Sequence, residues 1–320
     1  MTHRRFACVS FLVAIPVAAA GCSSPADTSD VAQSEAALGG PSVLASNQIG
    51  LGDLVLDTSY AYWTTSGNDV ADGAIVRVSK LGGKPVTLAS HQSVPFGIAV
   101  DETQVYWANF AAGGADGALM AVAKTGGTPR ALLESSDGPR SVVVDAARVY
   151  TLTSSAIVAV GKHGGVPTTV AATQCGNSIA ADDTSLYWVV NCVMFPPQGI
   201  FKVAKAGGTP VKLSNLAPPR IQVQREGIYF VDGGNVVLLP KLGGAAIAVS
   251  KFDVEGSAPL ALDALSFYAG VGTGIAARSR YGGAQRILAP TSSVGMLAVD
   301  SGYVYWTAEA DGRVMKVSKY

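Results

Sequence analysis

Short apolar runs of four to seven residues follow one another along most of the chain, separated by clusters of Gly, Pro, Asp and Ser. Runs of this length bounded by turn formers predict β-strands. They recur in a fixed order. An apolar strand such as Gly97–Ile98–Ala99–Val100 comes first and reads as the innermost. Asp101 ends it, and a second strand carries Val105–Tyr106–Trp107. A third strand follows, as in Ala74–Lys80, then a Gly-Gly pair, then a fourth strand such as Pro85–Ala89.

The order repeats seven times. The Asp falls at Asp57, Asp101, Asp145, Asp182, Asp263 and Asp300, with Gln224 in the fifth unit, and five residues later stands Tyr62, Tyr106, Tyr150, Tyr187, Tyr229, Tyr268 or Tyr305. All four tryptophans (Trp63, Trp107, Trp188, Trp306) directly follow that Tyr. A period of roughly forty residues with four strands is one propeller blade. The Gly-Gly pairs at 82–83, 126–127, 164–165, 207–208, 243–244 and 282–283 suit a tight hairpin turn, which demands positive φ. Pro85, Pro129, Pro167 and Pro210 suit the start of an edge strand. The seventh unit stops at Tyr320, where its turn is due, while Leu38–Ser46 matches Leu81–Ser90 with one residue deleted. The expected fold is therefore all-β: a seven-bladed β-propeller of four-stranded antiparallel blades over 38–320, closed by the N-terminal strand joining the C-terminal blade.

Tyr62–Trp63–Thr64 and Tyr305–Trp306–Thr307 resemble the YWTD propellers of lipoprotein-receptor type. The family's following Asp is replaced by Thr65, Asn109, Val190 and Ala308, and only Asp232 keeps it. The inter-blade bonding that this Asp provides in the family is therefore not carried over. The repeated "VYW…GG.P" unit is also similar to a group of bacterial lipoproteins, a likeness that implies a fold and an address but no activity.

The first residues read as an export signal, 1–21. A basic stretch, His3–Arg4–Arg5, precedes an apolar run, Phe6–Ala20, that is too short to span a membrane well. The run ends Ala18–Ala19–Ala20–Gly21–Cys22–Ser23, which resembles a lipobox; in that family the Cys, here Cys22, is acylated and becomes the mature N-terminus. Ser23 is what the family shows in lipoproteins of the outer membrane. The expected address is thus the cell envelope, with a lipid anchor in the outer membrane of a Gram-negative bacterium. Residues 22–37 are rich in Ser, Asp and Ala without apolar period and read as a tether. Cys175 and Cys192 lie equally far from the turn of a hairpin, Ile179–Asp182 against Leu186–Val189, so export predicts a disulfide between them.

Charge changes the picture little. Lys plus Arg and Asp plus Glu both number 23, so nothing favours nucleic acid as partner. The repeated Asp reads as a turn device. The repeated cations Lys80, Lys124, Lys162, Lys205, Lys241, Arg280 and Lys319 read as a solvated rim. His91, on a connection between blades, faces the channel mouth in the enzyme alternative, a metal-dependent lyase or lactonase. His163 reads as an exposed spacer in a turn. No catalytic residue and no cofactor are assigned; the alternative is a divalent cation such as calcium near Asp69, Asp72, Asp116, Glu309 and Asp311. Function is sought where the repeats disagree, in the connections between blades and the loops between second and third strands, since loops on a rigid scaffold carry binding. Phe96, Asn109, Phe110, Arg140, Asn177, Asn191, Met194, Phe195, Arg220, Phe252, Asp253 and Glu309 lie there. From these, Phe96, Asn109, Arg140, Asn191, Phe195, Arg220 and Phe252 are the expected ligand-binding residues. The expected protein is a monomeric, non-enzymatic binding scaffold for an envelope protein or a glycan.

Overall fold

The computed structural model describes residues 39–69, 71–110, 117–192, 198–254 and 256–320. The export signal, the tether with Cys22, and Asp116, Met194 and Phe195 lie outside them. Seven four-stranded antiparallel sheets form a ring: 51–92, 95–135, 141–172, 176–214, 222–251, 260–290, and a seventh made of 297–318 and Ser42–Ala45. We number these blades 1 to 7. In the seventh, Ser42, Val43 and Ala45 pair with Lys316, Met315 and Val314, so the strand from the other end of the chain closes the ring as the half-repeats predict.

One strand per blade serves two interfaces, because alternate residues point to opposite faces of a sheet. Trp63 faces backward, packing with Leu44, Ala45 and Tyr305 of blade 7. Its neighbour Tyr62 faces forward, packing with Ile98, Val105 and Trp107 of blade 2. The same pattern lays an apolar cluster between each pair of adjacent blades. In three of the four Trp blades the indole nitrogen then ties down the chain arriving from the preceding blade, while Trp306 Nε1 is buried without a partner. Trp63 Nε1 donates to Gln48 (3.0 Å), Trp107 Nε1 to Gln92 (3.0 Å) and Trp188 Nε1 to Thr173 (2.9 Å).

The Gly-Gly turns differ from the two-residue hairpin expected. Gly82 N–H donates to the Ser79 carbonyl, which puts Lys80 and Leu81 at the centre of the turn. The same bond recurs at Gly126, Gly164, Gly207, Gly243 and Gly282. The glycines come after the turn, at φ of +96° and +113° in the first case, where a Cβ is strained. The Lys must hold the central position because its side chain is needed elsewhere. Two-residue turns occur between second and third strands: at Gly233 (φ +53°) and Gly234 (φ +77°), with Asp232 paired to Asn235, and at Gly272–Thr273, with Val271 paired to Gly274.

Cys175 and Cys192 form the expected disulfide, with Cα atoms 5.4 Å apart. A bulge between Gly176 and Ser178 slips the register by one, so the residue facing Cys175 is Asn191, whose N–H donates to the Cys175 carbonyl (3.3 Å). The bond closes a chain segment with a sequence separation of 17. Replacing both cysteines by Ala should cost about 2–3 kcal/mol by loop closure; a urea midpoint unchanged in the double variant would contradict this.

Candidate functional site

The ring has two unlike faces. One carries the turns that start at the repeated Asp and the Gly-Gly turns; the other carries the connections between blades. On the first, Asp101 Oδ1 accepts the amides of Thr103 and Gln104, both at 2.8 Å. Its Oδ2 accepts the Tyr106 hydroxyl (2.9 Å) and faces Lys162 Nζ of blade 3 (2.8 Å). Five other joints repeat this. Lys124 of blade 2 meets Asp57 of blade 1, Lys205 meets Asp145, Lys241 meets Asp182, Lys319 meets Asp263, and Lys80 of blade 1 meets Asp300 of blade 7. At the remaining joint Gln224 replaces the Asp, and there the cation is Arg280, which donates to the Tyr229 hydroxyl and lies 3.8 Å from Glu226.

These cations are therefore not a solvated rim. Their Lys side chains are 7–23% exposed and lock each blade to the one before. The bonding that the missing YWTD Asp would supply comes from another Asp. The signal was present in the sequence: Asp and Lys repeat in phase, and where Gln224 breaks the Asp series, Arg280 breaks the Lys series one unit later.

The acid–base consequences follow. Burial opposes ionisation of Asp57, but the Lys124 ammonium, the amides of Tyr60 and Ser59 and the Tyr62 hydroxyl outweigh it and hold the carboxyl down to about 2. Asp300 is likewise lowered to about 2, against burial, by the amide of Gly302, Lys80, the amide of Tyr303 and the Tyr305 hydroxyl. Burial together with the bound carboxylate pushes the Tyr150 hydroxyl up to about 12. A concavity of about 1020 Å³ opens on this face among blades 1 to 3, lined by Tyr60, Arg77, Asp101, Lys124 and His163 among others. Its paired Asp and Lys groups are already committed to each other, so its charges hold blades rather than await a ligand.

On the connection face the expected binding residues separate into three sets. Asn109 and Phe252 are structural. Asn109 is 8% exposed; its Oδ1 accepts from Trp107 Nε1 and its Nδ2 donates to Gln92. Phe252 is fully buried with Tyr229 and Phe267 between blades 5 and 6, in the cluster where Ala269 stands in the Trp position and leaves room for it. Asn191 is exposed but serves the disulfide hairpin through its backbone. Phe96 and Arg140 meet through Phe110, and Arg220 contacts blade 1 separately. Phe96 is half exposed, with its ring 5.7 Å from that of Phe110 in an edge-on contact. The Arg140 guanidinium lies 4.7 Å over Phe110. Arg220, on the connection between blades 4 and 5, reaches across the ring to Asp53 on the inner strand of blade 1 (3.3 Å) while its side chain stays 52% exposed. Asn177 Nδ2 holds the Pro219 carbonyl beside it (3.1 Å). Asp137 next to Arg140 is held below the usual carboxylate range: burial opposes this, and the Ser155 and Thr153 hydroxyls, the Ser155 amide and the Arg140 charge outweigh it.

His91 does not reach the mouth: it ends the outermost strand of blade 1, exposed and at φ +56°. Asp69 and Asp72 share a local turn in which the Asp72 N–H donates to the Asp69 carbonyl. Glu309–Asp311 form a 3₁₀ turn closed by Gly312. Among the described residues no three His, Cys, Asp or Glu side chains group to hold a metal ion.

No protein-family model matches the chain, and no curated protein sequence matches it. Solved structures do. A domain described as the extracellular part of a hybrid two component system from B. thetaiotaomicron superposes with a TM-score of 0.65 at 10% identity, over 87% of this chain and 39% of that one. The computationally designed Ika8 protein gives 0.60 at 13% identity, over 86% and 98%. A gluconolactonase from Xanthomonas campestris gives 0.53 at 11% identity, over 87% and 89%. The chain is a seven-bladed β-propeller. At these identities the likeness carries the fold alone.

Proposed function

We propose that this propeller is a binding scaffold of the bacterial cell envelope, YWTD-like in its repeat and held through an acylated Cys22 in an outer membrane, and that it binds its partner at the channel mouth on the connection face. The observation that carries the binding surface is the set of partly exposed aromatic and Arg groups there. Phe96 and Phe110 offer an aromatic ledge, Arg140 is stacked on it, and Arg220 stands half exposed on a single carboxylate contact. Aromatic and Arg side chains in one patch are the residue types that dominate interface energetics. Two guanidinium groups beside an aromatic ledge fit an acidic segment of an envelope protein. The anchor is supported by the small residues before Cys22 and the Ser after it. The described residues contain no helix long and apolar enough to cross a membrane.

The test is binding of solubilised envelope proteins and of envelope glycans, side by side, to the purified chain and to its Phe96→Ala/Arg220→Ala variant. Losing two such anchors should weaken binding by about 30-fold or more, from roughly 2 kcal/mol at a hot spot. Equal binding by both chains would sink the assigned surface, and retention of glycans alone would replace the protein partner by a sugar.

A further inference from the structure

The turn that follows each repeated cation places one residue at its tip: Leu81, Thr125, His163, Ala206, Leu242 and Tyr281 in blades 1 to 6, with Tyr320 directly after Lys319 in blade 7. These tips are not alike. In blades 2, 3 and 4 they are small or polar. In blades 5, 6, 7 and 1, which are consecutive around the ring, they are Leu242 (90% exposed), Tyr281 (83%), Tyr320 (71%) and Leu81 (95%). Two further exposed side chains lie on this face, Leu265 at the Asp turn of blade 6 within the arc and Val166 after the Gly-Gly pair of blade 3 outside it. No core contact explains four large apolar side chains held out in water along one arc, since all four tips are more than two-thirds exposed.

The chain enters the fold at the middle of that arc. The closing strand pairs its first residue, Ser42, with Lys316, so Gly39–Pro41 lie beside the end of blade 7, next to Lys319 and Tyr320. Sixteen residues, Ser23 to Leu38, join Cys22 to that point. They reach at most about 55 Å however they run.

We propose that Leu242, Tyr281, Tyr320 and Leu81 seat the propeller on the lipid bilayer, with the Asp face toward the membrane and the channel mouth of the connection face turned away from it. This rests on the reading of Cys22 as the lipid anchor. One acyl anchor site and a set of shallow apolar contacts reinforce each other, as two membrane signals do generally. Tyr suits the headgroup layer, where its ring is buried and its hydroxyl stays wet. Three ammonium groups of the arc, those of Lys80, Lys241 and Lys319, are held by Asp300, Asp182 and Asp263, while Lys84 and Arg225 stand exposed beside the tips. The four apolar tips carry the docking, with the two cations as a lesser, screened contribution, so it should persist in high salt and without anionic lipid. It also leaves Phe96 and Arg220 pointing outward to meet a partner.

The native indoles make a direct test feasible, because Trp63, Trp107, Trp188 and Trp306 are at most 1% exposed and stay shielded. The full-length chain, purified with its processed N-terminus and placed in phosphatidylethanolamine–phosphatidylglycerol vesicles containing brominated lipid, carries one new indole: Leu242→Trp, Tyr281→Trp, or Ile49→Trp on the opposite face. The two arc positions should be quenched several-fold more than Ile49→Trp, in high salt and in vesicles without phosphatidylglycerol alike. Quenching at Leu242→Trp should fall to the Ile49→Trp level when Leu81, Tyr281 and Tyr320 are all changed to Ser. Equal weak quenching at all three positions in an acylated chain overturns the docking and leaves the anchor standing. An indole shielded from water but untouched by brominated lipid means that a protein, such as a second copy, covers the arc, and also overturns it. Intact mass with no acyl group on Cys22 overturns the anchor itself and this proposal with it.

Discussion

A chain lacking residues 39–46 is expected to lose its cooperative unfolding transition at ordinary temperature. The deletion removes the outer strand of blade 7 and with it the pairing of Ser42, Val43 and Ala45 to blade 7's third strand. Leu44 and Ala45, 5% and 4% exposed, leave a cluster in which Leu54, Trp63, Tyr305 and Val314 then face water. Gln48, which accepts the Trp63 indole, loses the strand that positions it. Uncovering Leu44 costs about 2–3 kcal/mol, and about three cross-strand hydrogen bonds add roughly 1 kcal/mol each. At least about 5 kcal/mol is lost before the exposed faces of Trp63 and Tyr305 are counted, against a typical total of about 5–15 kcal/mol. Calorimetry of the deleted chain beside Leu44→Ala separates the two effects. The point variant should lower the midpoint while keeping one sharp transition; the deletion should abolish it. A deleted chain that melts as sharply as its parent, within a few degrees, would show that the ring does not need this strand.

Closure was legible because a repeat exposes its own omissions. The seventh unit lacks its fourth strand after Lys319, and the matching strand stands at Leu38–Ser46. The disulfide was legible for a similar reason: two cysteines equidistant from one turn have few other partners, and the bulge beside Cys175 slips the register without separating them. The Lys series was misread because exposure belongs to a side chain's surroundings, not to its position in a turn. Lys80 sits at a turn centre and would be solvated on an isolated hairpin; only the neighbouring blade brings Asp300 within 3.0 Å. Which of the expected binding residues are exposed and which are structural was not legible. Disagreement among the repeats correctly marks where side chains vary, but variation has two causes. Phe252 varies because Ala269 leaves space in a core, and Asn109 because Gln92 and Trp107 require a polar partner. Phe96 and Arg220 vary with no such internal demand. Periodicity along one chain cannot separate the two, since it carries no information about what the next blade packs against that position. The contrast between Leu242, Tyr281 and Leu81 and their small or polar counterparts was likewise visible as letters, but the turn had to be placed on Lys–Leu rather than on Gly-Gly before those residues became tips.

The ring of ion pairs yields the second large effect. Asp101→Ala removes an acceptor for two amides, for Tyr106 and for Lys162 at once, and leaves a partly buried ammonium without its carboxylate. Orphaning one partner of such a pair costs more than the pair contributes, about 3–5 kcal/mol when burial is substantial. Asp101→Asn, which keeps a hydrogen-bonding oxygen at the turn, should cost about half of that. The same carboxyls govern the response to pH. Their folded pKa lies below the ordinary 3.8, at about 2 for Asp57 and Asp300 and lower still for Asp101, where burial is outweighed by Lys162, the two amides and Tyr106. Between those values the unfolded chain binds more protons than the folded one, so stability is complete above about pH 4 and drains as pH falls toward about 2. The tyrosines act in the opposite sense. Their folded pKa is raised, to about 12 for Tyr150, so their contribution is complete below pH 10.0, where an unfolded Tyr ionises, and is lost as pH rises through about 12. Urea unfolding followed across pH should therefore give a flat plateau between about 4 and 10 with a loss on each side. In Asp101→Asn the acid limb should be shallower, because one depressed carboxyl is gone. The blade 5 joint, where Gln224 and Arg280 replace the pair, supplies the internal control: Gln224→Ala removes no depressed carboxyl and should leave the acid limb as steep as in the parent. If Asp101→Asn and Gln224→Ala instead had the same acid limb, the carboxylate–lysine ring would not be what acid dismantles.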